Sequence, residues 1–255
     1  MVDIFKDELN LSSNEPDVNI NKEEFIKVIN SRRSVRVYTN EKVKEEDILS
    51  CLKLGLLAPN SSNLQPWEFY WVRSENKKNK LVEYCLNQPA ARTAAELIVC
   101  VAKPMAWKKN KKKMLDLITK NDKKPPEAVV NYYKKIVPLA YNQGIFGIRG
   151  FIKSIIIFFI SFFRPIPREP VSFADMKVWS QKTTALACQN LMLSFRAFGY
   201  DTCPMEGIDS YRIKKLLKLS NTDQICMVIS VGKRAKNGVY GKRIRFDDED
   251  FIHQV

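Results

Sequence analysis

A chain of 255 residues with 45% hydrophobic content can bury a full core, so one large domain, or one domain with an excursion, is expected and disorder is not the default. Its 42 Lys and Arg against 28 Asp and Glu leave a net charge of +14, a surplus that favours an anionic partner: a phosphorylated cofactor, nucleic acid or acidic lipid. The only histidine, His253, stands beside the C-terminus, which leaves almost no material for Ser/His/Asp or Cys/His triads or His-rich metal sites, so any chemistry here asks for a cofactor.

The first 20 residues read as an N-terminal extension, and 21–255 as a single domain. Positions 1–14 are acidic and polar without an apolar core segment, so no secretory signal is expected. The six cysteines (Cys51, Cys85, Cys100, Cys188, Cys203, Cys226) are scattered, mostly in apolar runs, and no Cys-x-x-Cys pair exists. Reduced, buried thiols of a cytoplasmic protein are the plain reading, with no metal site. There is no Walker loop, and Gly144, Gly147 and Gly150 lack dinucleotide-binding spacing.

Asn21-Lys-Glu-Glu24 has the shape of a capping box, and Phe25, Ile26 and Ile29 follow at helical spacing. That helix delivers Ser31-Arg-Arg-Ser-Val-Arg36, followed by the strand-like Val37-Tyr38-Thr39. Three guanidiniums and hydroxyls this close form a candidate phosphate clamp, because the planar arginine fork matches phosphate oxygens in pairs; a solvated basic helix end is the alternative. A second helix over 44–57 carries Ile48, Leu49, Leu52 and Leu56 on one face and stops before Pro59. It launches Ala58-Pro-Asn-Ser-Ser-Asn-Leu-Gln-Pro-Trp67, a proline-stiffened loop dense in donors and acceptors. Such a loop either holds a ligand or simply connects a helix to a strand.

Residues 68–73 read as a strand, 74–86 as a helix and 97–102 as a fully apolar, buried strand. Between 103 and 177 the character changes to a helical insertion: a lysine-rich helix over 107–120, a Pro125-Pro126 break, a helix over 127–141, and a run at 151–163 made almost wholly of Ile and Phe. A spanning helix needs about 20 apolar residues, and this run is shorter and carries Lys153. Ile152, Ile155, Ile156, Phe159, Ile160 and Phe163 share a broad helical face, with Gly150, Ser154, Ser161 and Arg164 as a narrow polar stripe. An interfacial helix, a dimer contact or a substrate-pocket wall would each suit this pattern. The ordered pattern then resumes with a long helix over 179–198, a loop at 201–207, a helix over 210–219, a buried strand at 225–231 and a basic tail to Arg245.

In their order and separation, the stretches 31–36 and 58–67 resemble the flavin-binding motifs of the nitroreductase family. The likeness covers most of 31–245, with 103–177 as its idiosyncratic part. It implies an α+β fold, a mostly antiparallel sheet flanked by helices, and an interlocked homodimer that builds two FMN sites across its interface. By that resemblance Arg32, Arg33, Ser34 and Arg36 correspond to residues on the FMN phosphate, ribityl chain and pyrimidine side. Pro59, Asn60, Ser61, Ser62 and Asn63 come from the other subunit, with Gln65 supporting the loop. Glu206 and Gly207 resemble the pair lying against the flavin, the glycine N–H reaching N5. Arg243 and Arg245 resemble the basic pair that completes the phosphate site, and Lys242 replaces either one in a shifted alignment. Asn87 and Gln88 are the candidates for the pyrimidine-side asparagine; the family's nearby lysine is missing, with Arg92 as its substitute.

The implied activity is that of an NAD(P)H-dependent oxidoreductase of ping-pong mechanism. NAD(P)H reduces FMN and leaves, and a small-molecule acceptor, whether a nitroaromatic, a quinone or another unsaturated compound, takes the electrons without any protein nucleophile. Within this family the run at 151–163 falls where pocket-walling helices are inserted, which favours dimer or pocket packing over peripheral contact with the inner membrane face. The other class is a basic membrane-surface or nucleic-acid binding module that keeps flavin structurally. Nucleic acid is not expected, because the lysines are spread across helices rather than gathered in a recognised motif.

Overall fold

The structure, a computed structural model, describes residues 15–121 and 125–255, so most of the expected N-terminal extension lies outside the described residues. Strands β1 (Trp67–Trp71), β2 (Glu96–Ala102), β3 (Asp201–Met205) and β4 (Gln224–Gly232) form one sheet in the order β1-β2-β4-β3, each pair antiparallel. The two most continuous aliphatic runs take the centre, where Ile98 pairs with Ile229 and Val99 with Val228, all fully buried. Burying each such side chain contributes about 1.5–3 kcal/mol, which is why these runs sit where both faces are covered.

Period-two alternation divides the core between the two faces. Leu97, Val99 and Val101 point toward α3 (Glu75–Tyr84), α4 (Pro89–Arg92) and α10 (Ser210–Leu216), meeting Leu81, Ala91 and Ile213. Ile98 and Cys100 point the other way, toward Ile48 and Cys51 of α2 (Glu45–Gly55) and Cys188, Leu191 and Phe195 of α9 (Phe173–Ala197). Helix α1 (Lys22–Ser31) packs on α9 with Asn21 as its N-cap, the side chain accepting from the Glu24 N–H at 3.1 Å, but the expected capping box is only half made, because the Glu24 carboxylate accepts from Lys27 instead. The architecture is α+β.

Several local expectations need correction. The segment read as a loop at 201–207 is mostly β3; as an edge strand it tolerates Pro204, whose missing N–H costs no central ladder bond. Val37-Tyr38-Thr39 makes no strand, only an isolated bridge from Tyr38 to Arg234. Helix α9 starts at Phe173, six residues before the predicted start, because Ser172 and Asp175 form a reciprocal capping box. The helix expected over 127–141 is α6 (Glu127–Asn131), a π-helical turn at Tyr132–Ile136, and α7 (Val137–Tyr141).

Helix α5 (Trp107–Asn121), the π turn and α7 build a satellite core of Trp107, Tyr133, Val137 and Tyr141 on Met176 and Trp179 of α9, with Leu64 from the loop before β1 at its centre. The insertion therefore packs directly on that loop. Helix α8 (Ile148–Ile160) follows, and among the described residues no single helix is long and apolar enough to cross a membrane.

Candidate functional site

Arg32 ends α1 in an extended conformation, turning the chain toward the edge of β3. There Ser34 bridges Thr202 in parallel, the Val35 N–H donates to the Thr202 carbonyl at 3.1 Å, and the Arg36 N–H to that of Gly238 at 2.7 Å. The basic tail folds back over this turn. Arg33 donates to the Gly241 carbonyl at 2.7 Å, while Arg243 donates to the carbonyls of Asn30 and Arg32 at 2.8 and 2.7 Å. Arg36 lies 5.3 Å from the Tyr240 ring centroid. Between the turn and the tail runs a groove of about 360 Å³, lined by Arg32, Ser34, Arg36, Lys242, Arg243 and Arg245 among others.

These contacts place the guanidiniums without neutralising them. Among the described residues, no carboxylate forms an ion pair with Arg32, Arg33, Arg36, Arg243 or Arg245. Burial, and then the charges of Arg243 and Arg245, hold the Arg32 guanidinium below the ordinary arginine value. A groove that gathers like charge and lacks a counter-ion is built for an anion, and phosphate matches its forked donors. Close by, Arg196 and Arg234 grip the buried Asp201 at 3.0 and 2.6 Å and also hold Ser31, fixing the turn that carries Arg32.

From Thr202, beside Ser34, β3 runs about 10 Å to Met205 at strand rise, and Glu206 and Gly207 follow at its end, so the span is on the scale of a flavin mononucleotide. The Gly207 carbonyl accepts from Gln88 Nε2 at 2.8 Å, and no described residue accepts its N–H. A Cβ built there would meet only Gln88 Nε2, at 3.8 Å, so a planar ligand has room against the backbone. Glu206 is exposed beside it. Of the two pyrimidine-side candidates, Gln88 is the one at Gly207; Asn87 sits in a left-handed conformation (φ 52) ending α3, its N–H on the Val82 carbonyl at 3.1 Å.

The loop carrying Pro59, Asn60, Ser61, Ser62, Asn63 and Gln65 enters β1, the opposite edge of the sheet. The strand order sets this loop and the arginines at opposite edges of the sheet, three strand spacings of about 4.8 Å apart. Ser62, Asn63 and Gln65 all have positive φ (57, 44 to 46 for the other two), a costly arrangement that needs external support. The insertion supplies it. Ser61 Oγ lies 2.8 Å from the Tyr141 hydroxyl, Ser62 Oγ 2.6 Å from that of Tyr132, and Tyr133 donates to the Ser62 carbonyl at 3.1 Å. Asn110 Nδ2 donates to the Leu64 carbonyl at 2.8 Å, and Asn60 Oδ1 accepts from the Gln65 N–H at 2.7 Å.

These tyrosines and Asn110 were not foreseen from the sequence. Tyr132, Tyr133 and Tyr141 sit 70 to 80 positions from the serines they touch, and helical periodicity does not report a contact at that range. Other chemistries find little support. Among the described residues no cluster of three His, Cys, Asp or Glu could hold a metal ion, and burial pushes the Cys51 and Cys85 thiols up to about 12, far from thiolate reactivity.

The model of the nitroreductase family matches residues 29–133 and 153–233. The break at 134–152 falls inside the insertion, covering the end of the π turn, α7 and the start of α8. Protein DrgA of Synechocystis is 27% identical over 216 residues, covering 84% of this chain and 86% of its own. "Putative NAD(P)H nitroreductase YdgI" of Bacillus subtilis is 26% identical over 231 residues, covering 89% and 97%. Among solved structures, a "putative nitroreductase in complex with FMN" from Exiguobacterium sibiricum superposes with a TM-score of 0.68 over 94% of this chain and 99% of that one, at 24% identity, a likeness of fold.

Proposed function

The chain belongs to the nitroreductase family, and from that membership we propose that it is an FMN-dependent oxidoreductase drawing electrons from NAD(P)H. The observation that carries this reading is the un-neutralised arginine groove at Arg32, continuing along β3 to the open backbone of Gly207. Hydride exchange, from NAD(P)H in one half-reaction and to a small acceptor in the other, is the chemistry FMN supplies when bound. The chain's own residues bind and orient. Arg32, Arg36, Arg243 and Arg245 offer forked donors to the phosphate and polyol, with Arg33 and Arg243 also locking the tail over the turn. Ser34 adds a hydroxyl, and the Gly207 N–H offers a backbone donor where the ring would lie, with Gln88 pinning the carbonyl of the same residue.

We infer that a second subunit completes the site, a reading that family membership supports and with which the position of the 58–66 loop, at the far edge of the sheet from the arginines, agrees. We assign Pro59, Asn60 and Asn63 to the partner's flavin. Ser61 and Ser62, whose hydroxyls meet Tyr141 and Tyr132, hold the loop in place and offer their backbone N–H groups. Phe25, Leu49, Leu57 and Leu186, on or next to helices α1, α2 and α9, are exposed apolar side chains that a homodimer would cover. Nitroaromatics, quinones and other unsaturated compounds are the acceptor classes. The test is optical: the purified protein is expected to be yellow, to bleach under nitrogen on adding NADH or NADPH, and to recover colour with an acceptor. A colourless protein that takes up no added FMN would refute the reading.

A further inference from the structure

We propose that α8 is a membrane-docking helix that lays its outward face into the surface of an anionic lipid bilayer. Its amphipathy is inverted relative to a core helix. Phe151, Ile152, Ile155, Ile156, Phe158 and Phe159 are 44 to 66% exposed and, at 100° per residue, span roughly 160° of the helix on the side facing away from the protein. Phe146 before the helix and Phe163 after it are 92 and 89% exposed, extending the same apolar surface. The inward face is the polar stripe. Gly150 lies against the Val171 carbonyl so closely that an added Cβ would collide with it, and Lys153 Nζ donates to the Ala140 carbonyl at 2.7 Å. A globular helix hides its apolar face and shows its polar one; this helix is anchored by the reverse.

Charge selects the occupant. From position 128 to 168 the chain holds no Asp or Glu and six Lys or Arg: Lys134, Lys135, Arg149, Lys153, Arg164 and Arg168, of which all but Lys153 are exposed. An apolar face within a wholly basic segment matches acyl chains beneath anionic headgroups. Two copies of α8 facing each other would bring Arg149 and Arg168 of each onto like charges, whereas anionic headgroups neutralise them. With 13 residues α8 by itself is too short to cross a bilayer, and an outward apolar face on a helix held to the protein by its inner side suits docking on the surface.

Docking here has a consequence for the flavin site. Lys153 joins α8 to Ala140, whose neighbour Tyr141 holds Ser61, so the bilayer would lie one contact layer from the 58–66 loop and could present a lipid-dissolved acceptor. That consequence rests on the proposed function; the docking does not, and it is read without activity. The experiment is flotation of the full purified chain with phosphatidylcholine vesicles, with and without phosphatidylglycerol. Co-flotation is expected with the anionic vesicles and should fall in high salt toward the weaker level seen on neutral vesicles, the part carried by the apolar face. Ile156→Ser with Phe159→Ser should cut the bound fraction at least tenfold while light scattering and flavin absorbance stay unchanged. As a second measurement, Phe159→Trp should give fluorescence quenched by lipids brominated on their acyl chains, a readout that stands even where the serine variant folds poorly. Failure of the wild type to float, equal flotation on neutral vesicles, or a serine variant that floats normally would overturn the proposal. So would a variant that loses its oligomeric state, because α8 would then be covered by a second copy.

Discussion

Arg32 and Arg243, drawn together by the turn after α1, divide the labour of the groove. Arg243 uses Nη2 on the carbonyls of Asn30 and Arg32 and keeps Nη1 and Nε for an anion, whereas Arg32 has its charge held back by burial and by its basic neighbours. Arg32→Lys keeps the charge and loses the fork, so FMN affinity, measured by titrating the apoprotein, is expected to fall by about 1.5–3 kcal/mol, roughly 10- to 100-fold. Unchanged affinity would remove Arg32 from the phosphate site. A second residue-scale expectation concerns pH. Burial opposes the charge on Lys103, but its bond to Asp223 at 2.8 Å, the Asp223 charge and nearby Glu68 outweigh burial and raise its pKa above the ordinary lysine value of 10.5. The stabilisation from this group is fully present below 10.5 and is lost as pH rises through the higher folded value. Urea midpoints should therefore fall above pH 10.5, and less steeply in Lys103→Met; identical alkaline slopes would count against it.

At the scale of elements, the insertion is a brace. Its π turn and α7 place Tyr132, Tyr133 and Tyr141 on a loop whose backbone is locally strained, and a π turn shifts the helical phase so that consecutive tyrosines reach one partner segment. Replacing Tyr132 and Tyr141 together by Phe removes two hydroxyl partners while keeping both rings. The expected stability loss is about 1 kcal/mol per hydrogen bond, accompanied by weaker FMN binding although the arginines are untouched. Flavin titration and urea unfolding on the same variant separate the two effects, and unaltered flavin binding would reduce the insertion to packing alone.

For the whole molecule, the proposed sharing of the site is the point to test: β1 and β3 are the two edges of the sheet, so the loop before β1 and the arginines beside β3 lie at opposite edges of one chain. A shared site predicts complementation. Arg32→Ala subunits and Asn60→Ala subunits, each poor in flavin alone, should on mixing and refolding form heterodimers in which one of the two sites contains neither substitution. Each heterodimer is expected to recover about half the flavin absorbance of a wild-type homodimer, and no recovery despite heterodimer formation would place both motifs in one subunit's site.

The central strands, most helices and the two motifs were legible in the sequence, because long apolar runs, helical spacing and dense arginine or asparagine loops are local patterns with local causes. Leu97 to Ala102 has to be buried on both faces wherever it lies, and Asn21 caps its helix through contacts three residues away. What escaped depended on contacts between distant segments. Residues 201–205 carry the composition of a turn, and only the neighbouring β4 makes them an edge strand that accepts Pro204. The Tyr141 to Ser61 contact joins positions 80 apart. The outward orientation of α8 was equally hidden: a wheel shows that a helix has two faces, but only the seat of Gly150 against Val171 decides which one turns to the protein and which is left to its surroundings.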